Sequence, residues 1–346
     1  MKVIKIAIAI LMIVMVIMPY NTAEASQIEA GFYVSAMIPS NQTESGLSYF
    51  DLHMEPEQVQ RLEVEIVNEA DTPITVTVEA VSASTNRNGV IDYKTPDIRD
   101  KSLMYPFADI AEVNTPDITV PPNSTKTAVV TLTMPEEYYD GVILGGLVFT
   151  RENDSESGDQ TVTVNNIFSY VIGVKLSETD IALSPNFEIA EIVPKIVNYQ
   201  PVFMHGVRNT EAVIVKGMNV DVYVKDISGK VHAQMNKTDI DMAPNSVMPL
   251  GIEPMQGKIS PGKYVSEIQI EYNGETYSYS DEFYISGVSA KETNSSAVKT
   301  TAPVTGNSDI QIVMIGFILV LCVIIVILLF LLVYKKRENK NVNKNT

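Results

Sequence analysis

Histidine, cysteine and paired acids build most enzyme and metal sites, and this chain offers few of them at a usable spacing. Its three histidines, His53, His205 and His232, lie far apart and lack metal-ligand spacing; each reads as a surface or satisfied strand histidine. The one cysteine, Cys322, rules out an internal disulfide framework and any C-x-x-C pair. No G-x-S-x-G, P-loop or H-E-x-x-H run occurs, so nucleophilic, phosphate-binding and zinc-hydrolase chemistry lack their local signatures. A glycosidase pair needs two acids in a cleft with one pKa raised. The spacing of the 42 acids selects no such pair, and solvated strand faces account for them. The expectation is a protein that is not an enzyme and holds no metal or cofactor.

Binding chemistry is left. Asn86-Arg87-Asn88-Gly89-Val90-Ile91-Asp92 has the outline of a calcium loop. Aligned on Gly89, however, its ligand positions fall on Ser84, Asn86, Asn88 and Thr95, without the bidentate glutamate such a loop needs. A hairpin is the better reading, with Asn88-Gly89 as the two residues of positive φ in a type I′ turn. Sixteen tyrosines and no tryptophan make a poor sugar-stacking platform, although Tyr105 with Phe107, or Tyr138 with Tyr139, could stack on sugar rings. Tyr277 and Tyr279 share a strand face with Phe283 and Ile285 and read as core.

These residues sit in a chain that is exported. Lys2 and Lys5, an apolar run from Ile6 to Met18, and Ala23-Glu24-Ala25 before Ser26 form a secretory signal, cleaved between Ala25 and Ser26. Ile310 to Tyr334 is uncharged, and at 1.5 Å per residue it reaches about 38 Å, enough to cross a bilayer core of about 30 Å. Lys335, Lys336 and Arg337 follow at once and stop transfer, leaving a cytoplasmic basic tail. The expected product is a single-pass cell-membrane protein with its bulk outside. Residues 26–334 carry 18 basic and 40 acidic side chains, a balance that excludes nucleic acid as a partner. Ala302-Pro303-Val304-Thr305-Gly306 matches a Leu-Pro-x-Thr-Gly wall-sorting signal only loosely, so a retained membrane anchor is expected.

Between the ends the pattern has period two. Leu62, Val64 and Ile66 alternate with Glu63 and Glu65; Ile74, Val76 and Val78 with Thr75 and Thr77; Ala128, Val130, Leu132 and Met134 with Thr131 and Thr133. Val220, Val222 and Val224, then Ile268, Ile270 and Tyr272, continue it. Such runs predict half-buried strands, and Asp71-Thr72-Pro73, Pro121-Pro122-Asn123, Pro261-Gly262 and Asn273-Gly274 punctuate them as turns. The fold class is all-β: two tandem immunoglobulin-like antiparallel sandwiches plus one C-terminal transmembrane helix. Expected boundaries are 1–25 for the signal, 26–152 and 160–287 for the sandwiches, 288–309 for a flexible stalk, 310–334 for the membrane helix and 335–346 for the tail. The seam falls in the polar run Arg151 to Gln160. Pro122-Asn123-Ser124 and Pro244-Asn245-Ser246, each before a strand, form a weak internal echo.

Several segments together resemble a known family. They are Leu62 to Asn68, Thr85-Asn-Arg-Asn-Gly-Val-Ile-Asp-Tyr93, Val120 to Thr127 and Asp140-Gly-Val-Ile-Leu-Gly-Gly146 in the first half, and Tyr170 to Val174, Met242 to Ser246 and Pro261 to Tyr264 in the second. With the signal, stalk, helix and tail, these resemble the WxL-interacting proteins of Gram-positive bacteria over essentially the whole chain. The resemblance implies a cell-surface scaffold or adhesion protein. Its first domain would bind peptidoglycan, its second host surface or extracellular matrix, and its neighbours would be WxL-domain proteins. It offers no catalytic residue. Under it, Asn86, Asn88, Asp92, Tyr93, Tyr138, Tyr139 and Asp140 are the candidate peptidoglycan contacts, since amides and phenols bind sugars at low charge cost. Two other classes stay open: an assembly chaperone acting by β-strand augmentation, and a wall-modifying enzyme.

Overall fold

A computed structural model of the chain describes residues 31–94, 99–152 and 167–297. The expected signal peptide, its cleavage site at Ala25 and Ser26, the membrane helix and the stop residues Lys335, Lys336 and Arg337 lie outside the described residues. Among those described, no helix is long and apolar enough to cross a membrane.

The first sandwich is built from β1 (Phe32–Met37), β2 (Phe50–His53), β3 (Val59–Asn68), β4 (Ile74–Ser82), β7 (Ala111–Val113), β8 (Asp117–Val120), β9 (Ser124–Thr133), β10 (Ile143–Glu152) and β11 (Ile167–Ser177). A four-stranded sheet in the order β1-β3-β9-β7 faces a five-stranded sheet in the order β2-β11-β10-β4-β8. The pairings are antiparallel except for β2 beside β11. The period-two residues do what their spacing requires. Leu62, Val64 and Ile66, then Val76 and Val78, and Val130 and Leu132, point between the sheets and are buried. A small hairpin, β5 (Ser84–Thr85) with β6 (Ile91–Asp92), and a one-turn helix, α1 (Phe107–Ile110), leave this sandwich between β4 and β7. Phe107 of α1 lies so close over Gly145 of β10 that a Cβ there would come within 2.1 Å of its ring. That glycine keeps the helix seated on the core.

The second sandwich contains β12 (Phe187–Val197), β13 (Gln200–Asn209), β14 (Val215–Asp226), β15 (Val231–Met242), β16 (Ser246–Ile252), β17 (Gly262–Tyr272) and β18 (Glu275–Ile285). Sheets of order β12-β13-β16 and β15-β14-β17-β18 enclose Phe203, Val220, Val222, Val224, Leu250 and Ile270. Asn273 and Gly274 join β17 to β18 with φ of 51° and 82°, the pair of left-handed residues a type I′ turn demands.

Two boundaries differ from the sequence expectation. Residues 151–160 do not separate the sandwiches: the polar run belongs to the connection from β10 to β11, which pair through ten residues of one sheet. Ile172, Val174 and Leu176 complete the first core. The change of core therefore comes after Ser177, because β11 needs the apolar face of β10 to cover its own. The first residues of the expected stalk are also helical. Residues 287–296 form a helix, α2 (Gly287–Ser296), capped by Ser286 Oγ, which accepts from the Ser289 amide at 3.0 Å. Ala290 and Thr293 are buried, and the Asn294 side chain bonds both the amide and the carbonyl of Ile259, at 3.0 and 2.8 Å. Small polar residues hide this helix from a periodicity search, since its contacts come from an amide and two small side chains.

The internal echo proves structural. Asn123 and Asn245 both adopt left-handed φ, 48° and 47°. Ser124 Oγ donates to Pro121 O and Ser246 Oγ to Ala243 O, each at 2.8 Å. Behind each turn stands a buried asparagine. Asn68 ends β3 opposite Ser124, and Asn209 ends β13 opposite Ser246. Asn68 donates to the carbonyls of Thr72, Val120 and Pro121; Asn209 donates to those of Val213 and Ala243. Each domain thus uses the same device to satisfy the backbone of its proline turn.

Candidate functional site

The seven residues singled out from the sequence do not form one patch. Tyr93 lies on the outer side of the five-stranded sheet, and Asp92 before it belongs to the β5–β6 hairpin. Tyr93 is half-buried: a Cβ at Gly146 would lie 2.7 Å from its ring, and one at Gly173 3.6 Å from its hydroxyl. Burial, with Tyr49 nearby, raises its hydroxyl above the ordinary phenol range. Asp92 accepts the Tyr93 amide at 2.9 Å and fixes the chain where the ring turns onto the sheet.

Asn86 is committed to its own turn. Its side chain accepts from the amides of Asn88 and Val90 at 2.9 and 3.3 Å, and its carbonyl accepts from Gly89 at 3.0 Å. Gly89 has φ +76°, but Asn88 is not left-handed, so the turn is not the type I′ expected from Asn-Gly. The asparagine cap decides the geometry, because it holds residues 87 and 88 in an ordinary turn before the glycine. Asn88 is exposed.

This turn docks on the second domain. The Asp241 amide donates to Gly89 O at 2.9 Å, Lys237 Nζ to Arg87 O at 2.8 Å, and a Cβ on Gly89 would strike Ile240 at 2.8 Å. Thr85 Oγ1 lies 2.6 Å from Ser246 Oγ and accepts the Ala243 amide at 3.0 Å. Tyr139 and Asp140 stand at the same seam. Tyr139 packs edge-on against Tyr105, donates its hydroxyl proton to Asn245 Oδ1 at 3.0 Å and its amide proton to Glu178. Burial, then the charge of Glu211, pushes its pKa to about 12. Asp140 accepts from Thr179 at 2.8 Å. Gly141, at φ +92°, touches Ala212 so closely that a Cβ would be 2.3 Å from its carbonyl, while the Val142 amide bonds that carbonyl at 2.8 Å. Tyr138 stays 75% exposed beside them.

One ion pair that the sequence did not single out closes the seam. Arg208 of β13 is buried and donates to both oxygens of Asp100, at 2.6 and 2.7 Å, and also to Glu188. Burial opposes ionisation of Asp100, yet the bonds from Arg208 and Ser102 prevail and hold its carboxyl below the ordinary range. The only local signal was a charge inside the apolar run of β13. His205, on the same strand, faces inward. Its Nε2 lies 2.8 Å from Ser266 Oγ and its Nδ1 3.2 Å from Phe203 O, a core histidine and no ligand. Among the described residues, no group of three or more His, Cys, Asp or Glu could hold a metal ion.

Two antiparallel β-sandwiches joined by a hydrogen-bonded seam define a class of two-domain, immunoglobulin-like all-β protein. The family follows from direct matches. The model for the peptidoglycan binding domain of WxL Interacting Protein matches residues 32–151, and that for its host binding domain matches residues 159–295. The chain belongs to the WxL-interacting protein family. The boundary between the two matches falls in the β10–β11 connection, so the second match includes β11 of the first sandwich. No curated protein gives a significant match. Similar solved structures include the YadV chaperone, 10% identical over 73% of this chain and 100% of that one with a TM-score of 0.30. The E. coli chaperone DraB is 12% identical over 73% and 95%, with a TM-score of 0.29. Likeness at this level assigns no function.

Proposed function

We propose that this protein is a membrane-anchored scaffold of the bacterial cell surface that binds peptidoglycan and WxL-domain proteins, with its second domain turned to host matrix. The observation that supports it is the succession of two binding-domain matches along one chain, 32–151 and 159–295. An export signal precedes them in the sequence, and an apolar span with a basic stop follows. Two weak contacts on one tether beside the wall gain effective concentration, so neither has to be tight. The test is retention of the detergent-solubilised full-length protein by purified sacculi and, separately, by an immobilised WxL-domain protein, at low and moderate salt. Both are expected to retain it. Retention by neither ends the reading, retention by the wall alone removes the partner role, and release of muropeptides would replace binding with hydrolysis.

A second reading, strand augmentation of a client protein, has one observation in its favour. β1 is an edge strand, FYVSAM, without charge, proline or register shift, and Tyr33 and Met37 are exposed on it. Lysine placed at Ser35 would weaken capture of a client strand under that reading and leave wall binding unchanged.

A further inference from the structure

We propose that the outer face of the five-stranded sheet, along β10 and β11, is a glycan track: a site for the sugar backbone of peptidoglycan, not for its peptides. It rests on the reading that the first domain binds peptidoglycan, and gives that reading a place and a chemistry.

The track follows from register. Residues of β11, β10, β4 and β8 stand side by side in rows. One row is Ser169, Thr150, Thr77 and Asp117, all facing outward. Thr150 and Ser169 hydroxyls are 3.3 Å apart, and Thr77 donates to Asp117 at 2.8 Å. The next row along presents Val171 and Val148. The row after that pairs Gly173 with Gly146, and Tyr93 lies over this glycine pair with Tyr49 at its side. Rows two residues apart are about 6.7 Å from one another. Hydroxyls at one end, an apolar middle and an aromatic ring about 13 Å away offer what a run of pyranose rings needs: hydrogen bonds to ring hydroxyls and a surface for C–H faces. Alanine at Gly146 would displace the Tyr93 ring, so the paired glycines have a use here that sheet formation alone does not require.

Charge favours this occupant. The chain holds 42 acids against 25 bases, and most of its surface repels an anionic wall. On β10 and β11 the outward positions Gly146, Val148, Thr150, Ser169, Val171 and Gly173 carry no charge. Lys175 beyond them is paired with Asp51 at 3.0 Å. The nearest acids are Glu79 and Asp117 on the flank and Glu152 where β10 ends. The opposite outer face carries Arg61, Glu63 and Glu65 along β3, one of its two central strands, while the other, β9, turns threonines outward without the glycine pair and ring. A neutral, hydroxyl-bearing strip on an acidic protein suits the uncharged ring-and-hydroxyl surface of a glycan strand.

The experiment uses full-length protein in detergent. It measures binding to intact sacculi, to glycan strands freed of stem peptides by amidase, and to the released peptides. Val171→Glu and Thr150→Glu place an anion on the track at partly exposed positions, and Thr127→Glu places one on the opposite face. The expected result is binding to intact sacculi and bare glycan strands, about tenfold weaker for each track variant and unchanged for Thr127→Glu. Circular dichroism confirms that each variant is folded. Sacculi held equally by wild type and both track variants would overturn the track and leave peptidoglycan binding standing. Binding to peptides but not to bare strands would overturn the choice of ligand. No binding of the wild type to sacculi would remove the reading beneath both.

Discussion

His205 sits in the second core as a neutral imidazole. Burial depresses its pKa to about 4 from 6.5, against a smaller opposing effect of the Phe203 carbonyl. With the folded value lower, the unfolded chain takes up a proton that the native state refuses. Its effect on stability is nil above about pH 6.5, grows as the pH falls, and is complete below about 4, roughly 3 kcal/mol in all. Urea unfolding of wild type and His205→Gln at pH 7.5 and pH 4.5 should show the wild type losing more stability across that interval; equal losses would contradict this. The sequence left this residue as a surface or a satisfied strand histidine, and burial decides for the second. The sequence could not show which polar groups are free for ligands. Asn86 and Tyr139 looked available because their partners, Val90 in one case and Asn245 in the other, become visible only once the chain is folded.

Strands were legible because alternation states which side chains turn inward. Alternation does not state which sheet they turn toward, and β11 shows the consequence. Its apolar set, Ile172, Val174 and Leu176, would suit either core, and only pairing with β10 decides. A chain ending after Glu152 should therefore fail to fold. Three buried aliphatic side chains at about 1.5–3 kcal/mol each rival the whole stability of a domain, about 5–15 kcal/mol. A chain ending after Ser177 should give a cooperative melt by circular dichroism. A folded product ending at Glu152 would return β11 to the second domain. The helix α2 escaped notice for a related reason: a cap, two small buried side chains and one asparagine amide leave no apolar stripe.

For the whole molecule, three of the seven segments that carried the family resemblance reach the seam. Thr85 to Gly89, Tyr139 to Val142, and Ala243 to Ser246 meet there, although no spacing along the chain shows that residues 85 and 246 touch. A junction of backbone amides, glycine contacts and one buried bidentate ion pair ought to make the two sandwiches unfold together. Arg208→Ala removes both bonds to Asp100. A buried carboxylate stripped of its partner costs about 3–5 kcal/mol, but here parting of the domains returns Asp100 to water and relieves most of that cost. The variant should therefore separate before it unfolds. Calorimetry is expected to resolve the single wild-type transition into two, with a larger radius of gyration by small-angle scattering and an unchanged circular dichroism spectrum at 25 °C. Gly141→Val should give the same pattern by a different route, since its side chain has no room beside the Ala212 carbonyl. If both variants keep one transition and the wild-type radius, the seam is incidental contact and the domains are oriented by their connection after Ser177.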